Sequence, residues 1–299
     1  MKNIIKISKL FLSTLIIAFF ISACDKVDEP YKKPQAVPVD TTGVLSGETI
    51  TDTIDKKVVL LEDYTGHTCV NCPKAHVKAH DLLQKYGNQL VVMAVHQGVF
   101  ALPEASGYYT YDFRVLPTVD DWNQVWGITG YPAGLINRTK YNGSYVTTYS
   151  SWDEKIGDIV TTLPDVIIKI KNYYNSTSKK YTTRINTKFK TDLNGNYKLS
   201  VCLIEDSIIK PQKNNDSTIG PTPDILNYVH MHVLRDVVNS TWGTTIVNGS
   251  IAADSSINNA FTLTLKSEWI EEHIFVVAFI YDANDYHILQ AAMAPLDIE

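Results

Sequence analysis

Cysteine is scarce, four in 299 residues, which excludes a small fold stapled by many disulfides. Basic clusters are absent as well. With 27 Lys and Arg against 32 Asp and Glu the chain carries a net charge of −5. Without a basic stripe it is a poor binder of a phosphate backbone, so nucleic acid is excluded as a partner. Nor is there a long apolar run: the one candidate, Leu10 to Ile21, is shorter than the roughly 20 residues a membrane-crossing helix needs. Glycine and proline, 15 and 12, stay at ordinary levels, which excludes a collagenous or low-complexity chain. What remains is a globular protein of a length suited to about two domains.

The apolar run has a purpose of its own. Lys2, Lys6 and Lys9 precede it and Ile21-Ser22-Ala23-Cys24 follows, the layout of an export signal. Small residues before a cysteine resemble the lipobox of bacterial lipoproteins. That resemblance implies that residues 1–23 are a signal peptide and that Cys24 becomes a lipidated first residue. Each buried methylene of the acyl chains contributes about 0.8 kcal/mol, and several chains together hold firmly. Removing the three lysines leaves 24 cations against 32 acids, a net charge of −8. Residues 24–54, with Pro30, Pro34, Pro38 and mixed charges, lack any period and are expected to form a flexible tether.

Folded structure is expected from residue 55. Val58-Val-Leu-Leu61 is a continuous apolar run, as a strand buried on both faces requires. After the loop Thr65 to Pro73, the residues Cys72, Ala75, Ala79, Leu82, Leu83 and Tyr86 share a helical face, and Gly87 stops that helix. Gln89 to His96 supplies a second strand. Strand, helix, strand is a right-handed parallel unit, and functional groups of such sheets gather at the strands' carboxyl ends. Cys69 and Cys72 occupy that position. Spaced three apart they lie on one side of the first helical turn, where the helix N-terminus favours a thiolate and the second thiol can resolve a mixed disulfide. Cys69 is expected to be the exposed, attacking thiol and Cys72 the inward, resolving one.

The segment resembles the thioredoxin superfamily. The resemblance implies that Asp63, six residues before Cys69, is the buried carboxylate that assists proton transfer. It also implies that Gly130-Tyr131-Pro132 is the cis-proline loop beside the cysteines, with a strand at 133–137 and a closing helix at 150–163. Thr68 stands where thioredoxins usually have Trp, Val70-Asn71 replaces Gly-Pro, and the Tyr-rich stretch 99–119 is longer than a minimal thioredoxin has.

From about Asp165 short alternating runs take over, at 166–174, 181–189, 197–205, 228–237, 260–266, 274–281 and 286–294. They predict a two-sheet antiparallel sandwich. Cys202 falls inside one strand and is expected to be an inert buried side chain. His230 and His232 alternate on one strand and are expected on a polar outer face beside Arg235. His67, His76 and His80 gather near the cysteines, but an i, i+4 pair is more often a solvated face than a zinc or copper(I) site. Neither metal nor other cofactor is expected.

A wider resemblance rests on Leu60 to Gly66, Cys69 to His76, Gly130 to Arg138, His232 to Arg235, Ala278 to Asp282 and Ile288 to Ala292. Together they look like a family of outer-membrane lipoproteins named for a twenty-eight-kilodalton outer-membrane protein. The resemblance implies an α/β thioredoxin-like domain at 55–163 followed by an all-β immunoglobulin-like sandwich at 164–299, anchored to the outer membrane through lipid. Three functions from different classes fit these residues. One is extracytoplasmic thiol–disulfide exchange with protein clients through Cys69, Cys72, Asp63 and Pro132. Another is a surface binding or adhesion lipoprotein in which Cys69 and Cys72 form only a structural disulfide. The third is a metal carrier.

Overall fold

Burial places the first strand where the apolar run predicts it: β1 (Val59–Thr65) is buried at every position. The computed structural model describes residues 55–296 apart from 176, 178 and 179; the signal peptide, Cys24 and the tether lie outside the described residues. Helix α1 (Cys72–Tyr86) follows, with proline in its first turn and Gly87 beyond its end. Strand β2 (Leu90–His96) then pairs parallel with β1, Val59 opposite Leu90 and Thr65 opposite His96. Helix α2 (Thr118–Trp126) precedes β3 (Ala133–Ile136), which runs antiparallel to β1, and α3 (Trp152–Val160) closes this part. Gly134 on β3 has no room for a side chain, because a Cβ there would stand 2.3 Å from the Trp152 indole.

The remaining strands are β4 (Val166–Asn175), β5 (Lys180–Phe189), β6 (Leu193–Glu205), β7 (Ile208–Lys213), β8 (Asp224–His230), β9 (Val233–Val237), β10 (Thr244–Ile251), β11 (Ser256–Thr264), β12 (Ile274–Asp282) and β13 (Ile288–Pro295). Hydrogen bonding does not stop between α3 and β4. One sheet runs β13-β12-β6-β9-β2-β1-β3, with β10 also on β6. The join is the contact of Ala94 on β2 with Val233 on β9. The result is a mixed α/β protein made mostly of β-sheet.

Each face of that sheet has its own cover. Val59 and Leu61 pack under α1 and α3, against Ala79, Leu82, Trp152 and Ile156. Leu60 and Tyr64 point the other way, toward Trp122 and Trp126 of α2 and toward Phe279 and Tyr281 of β12. A second sheet, β11-β5-β4, lays Ile168, Ile185 and Phe189 over Leu199, Val201, Val276 and Ala278. Each Val, Leu, Ile or Phe side chain among them contributes about 1.5–3 kcal/mol of burial.

The strand expected at 228–237 is two strands. The chain turns at Met231-His232, where His232 takes φ 58°, so β8 leaves the main sheet and pairs with β7 as a separate hairpin. Helix α2 and strands β7 and β10 are further elements that the pattern did not predict.

Candidate functional site

The cysteine loop is held from two sides. On one, Thr68 donates to the Phe100 carbonyl from its backbone nitrogen at 3.0 Å and from its hydroxyl at 3.0 Å. Gly66 makes this approach possible, since a Cβ there would meet the Phe100 carbonyl at 2.4 Å. On the other side lies the end of the β7–β8 hairpin. Gln212 donates from Nε2 to the carbonyls of Cys69 (3.0 Å) and Gly66 (3.3 Å). The backbone nitrogens of Lys213 and Asn215 donate to His67 O (2.9 Å) and Val70 O (3.2 Å). Two tyrosines of the 99–119 stretch latch the hairpin down, Tyr109 to the Asp224 carboxylate and Tyr111 to the Pro211 carbonyl.

Cys69 and Cys72 form a disulfide with Cα atoms 5.4 Å apart. Cys69 is 3% exposed and Cys72 0%. The expectation of an exposed Cys69 is therefore corrected: its place at the helix start would leave it open, but it is buried in a loop whose backbone is bonded to the hairpin on one side and to Phe100 on the other.

Asp63 is buried at the carboxyl end of β1, where its Oδ1 has no hydrogen-bond partner. Burial pushes its carboxyl up to about 8. His76, one turn into α1, brings Nε2 to 3.7 Å from Asp63 Oδ2 and 2.9 Å from Thr65 Oγ1, while its Nδ1 lies 2.7 Å from the Tyr228 hydroxyl. Burial lowers His76 to about 4, so at neutral pH both side chains are uncharged. The cis Tyr131–Pro132 bond belongs to a loop that reaches the cysteines indirectly. Tyr131 donates to the Gln97 side chain and meets Phe100 edge-on at 5.9 Å.

The histidines regroup. His67 is buried, with Nε2 donating to the Leu102 carbonyl at 3.1 Å. His230 is buried too, its ring 5.7 Å from that of His96 and 5.3 Å from Phe113. It does not lie on a polar outer face as expected, because β8 has turned away from β9. His232 instead pairs with Asp206 at 3.0 Å, and His80 is exposed. Among the described residues no three His, Cys, Asp or Glu side chains group as a metal would require.

Two features escaped sequence reasoning. Arg138 makes a bidentate pair with Glu62, Nε and Nη2 each 2.8 Å from a carboxylate oxygen, both residues buried. The rings of Trp126 and Phe279 stand 4.9 Å from the guanidinium. The histidine cluster beneath the hairpin is the other. Cys202 is buried as expected, its thiol pushed up to about 12 by desolvation.

A parallel β-α-β unit with a closed cysteine pair, continued edge to edge into antiparallel sheet, defines a mixed α/β protein built around a covered disulfide. The chain belongs to the Omp28 family: residues 119–296 match the family described as outer membrane protein Omp28, which places it at the outer membrane of the cell envelope. Among solved structures it is similar to HBP35 of Porphyromonas gingivalis, 18% identical over 82% of this chain and 77% of that one, with a TM-score of 0.61. Protein AGR_C_4864 of Agrobacterium tumefaciens is 13% identical over 82% of this chain and 97% of that one, TM-score 0.51. A domain of the outer membrane lipoprotein Omp28 from Porphyromonas gingivalis is 18% identical over 46% of this chain and 93% of that one, TM-score 0.31. No curated protein matches.

Proposed function

We infer that the protein is a lipid-anchored binding lipoprotein, tethered through Cys24, in which Cys69–Cys72 is a structural staple. On this reading residues 55–163 are a thioredoxin-like unit and residues 164–299 an immunoglobulin-like sandwich. One observation carries it: the bridge is buried, in a loop whose own backbone is hydrogen-bonded to the β7–β8 hairpin. Disulfide exchange requires a thiolate to reach a sulfur atom, and the hairpin occupies the approach.

Asp63 favours a second reading. A carboxyl raised to about 8 is matched to proton transfer near neutral pH, which is what a resolving thiol needs. In that reading Cys69 attacks, Cys72 resolves, Pro132 presents backbone to the client, and the hairpin must first lift.

Trapping separates the two. Removing the resolving thiol leaves a mixed disulfide with no internal escape. The staple reading predicts no covalent complexes from either Cys72→Ser or Cys69→Ser on a non-reducing gel. Accumulation by Cys72→Ser alone would establish exchange.

A further inference from the structure

Between α1 and the turn that joins β8 to β9 lies a cavity of about 260 Å³, lined from β1, α1, β2, β8 and β9. Half of the lining residues have polar side chains, yet few of their polar atoms are left to hold a guest. Asp63 Oδ1, His96 Nδ1, His230 Nε2 and His232 Nδ1 are closed to solvent. His76 engages Thr65 Oγ1 through Nε2 at 2.9 Å and the Tyr228 hydroxyl through Nδ1 at 2.7 Å. Most of the wall is carbon, to which Ala79, Val92, Ala94 and Val233 contribute directly.

This wall selects against ions. No Lys or Arg lines it. Burial raises Asp63 to about 8 and lowers His76 to about 4, His230 to about 3 and His96 further still, so at pH 7 its buried groups offer neither an anion nor a cation an opposite charge. The described residues hold no group of three that would bind a metal. Water is poorly served too, since an ordered water takes about two to four polar partners. A hydrocarbon needs none and gains by leaving water. Val77, Val229 and Met231, 45%, 48% and 41% exposed, give the cavity an apolar mouth. Its volume is that of roughly eight waters, and a methylene is about as large, which sets the length near six carbons. An acyl chain that fills half of a bilayer's ~30 Å hydrocarbon core is about twice as long.

We propose that this cavity binds a free, uncharged small molecule through an aliphatic chain of about six carbons. The chain lies against Ala79, Val92 and Ala94, and the molecule's other end stays at the mouth beside Val77, Val229 and Met231. The proposal rests on the binding reading and names the class of ligand for it.

The test is calorimetric titration of straight-chain primary alcohols into the purified full-length Cys24→Ser protein at pH 7 with its bridge intact. Lacking acyl chains, that protein needs no detergent, which would compete for the cavity. One site is expected. Binding should tighten about fourfold per methylene from butan-1-ol to hexan-1-ol. Beyond octan-1-ol each further methylene, emerging into solvent, should add less than about twofold. Hexylammonium and hexanoate should bind at least about tenfold more weakly than hexan-1-ol. Val229→Trp and Val77→Trp, both at exposed positions, should each close the mouth and abolish hexan-1-ol binding at unchanged melting temperature. No alcohol binding, undiminished steps as far as decan-1-ol, equal binding of either ion, or wild-type binding by both Trp proteins would each overturn the proposal. So would flotation of the protein with phosphatidylcholine vesicles that hexan-1-ol blocks, which would give the mouth to a membrane acyl chain. None of these outcomes reports on covalent trapping, so the staple reading stands or falls separately.

Discussion

Gln212 donates to the carbonyl of Cys69 from 143 residues away, at 3.0 Å and in a fully buried position. The same Nε2 reaches Gly66 O, so one amide fastens the hairpin to both ends of the bend that precedes the cysteine pair. Access to the bridge then depends on how often the hairpin opens, a local equilibrium with its own free energy.

Gln212→Ala removes those bonds while Lys213 and Asn215 keep theirs. A hydrogen bond contributes about 0.5–1.5 kcal/mol net, and the carbonyls left buried cost more. Reduction of Cys69–Cys72 by dithiothreitol should therefore speed up by about ten- to a hundredfold, as followed by thiol labelling, with global stability lowered by no more than the corresponding ~1.4–2.7 kcal/mol. An unchanged rate would mean that the hairpin does not control access.

Glu62 and Arg138 form a pair with no water to replace a missing partner. Breaking a buried pair costs about 3–5 kcal/mol, because it strands a charge. Denaturant titration should show Arg138→Met and Glu62→Gln each destabilised by about that much, with the double replacement recovering part of the loss.

Asp63 and the histidines pull the pH dependence in opposite directions. His76 and His230 have depressed folded values near 4 and 3, so as pH falls below about 6.5 the unfolded chain takes up protons the native one refuses, and stability drops. Asp63 has a raised value near 8, so the native state holds a proton that the unfolded state releases above about 4, and stability drops as pH rises toward 8. His96, His67 and His287 are lowered by burial as well, so the histidines together outweigh the one acid on the acid side of neutrality and Asp63 dominates on the alkaline side. Melting temperature should peak near neutral pH and fall again toward pH 8. In Asp63→Asn that alkaline loss should vanish.

Cys24→Ser should release the protein from the membrane fraction, as read by fractionation and by mass spectrometry of the N-terminus. A mutant that still sediments with membranes, beside a wild type free of acyl chains, would remove the lipid anchor.

Helix α1 was legible because Cys72, Ala75, Ala79 and Leu82 repeat at helical spacing and are buried together. The strands after α3 were legible where one face packs inward, as in β5 with its near-strict alternation. The hairpin was not. In β7 only Gln212 is buried, and Pro211 interrupts the run, so no apolar period announces a strand. In β10 Val247 alone is buried. The cover over Cys69 consists of backbone bonds and one amide supplied from far along the chain, which local pattern cannot register. Arg138 reads as an ordinary charge after a strand, and its meaning comes only from Glu62, 76 residues earlier.

The reduction potential of the Cys69–Cys72 pair, measured in the folded protein against a glutathione series, tests the staple most directly. Structural bridges lie below about −300 mV and exchanging ones above. A buried, strapped bridge should fall below that value in the wild-type protein. A potential between about −270 and −120 mV, the range of thioredoxin and of oxidising exchange proteins, would contradict it and make the hairpin the gate of an oxidoreductase.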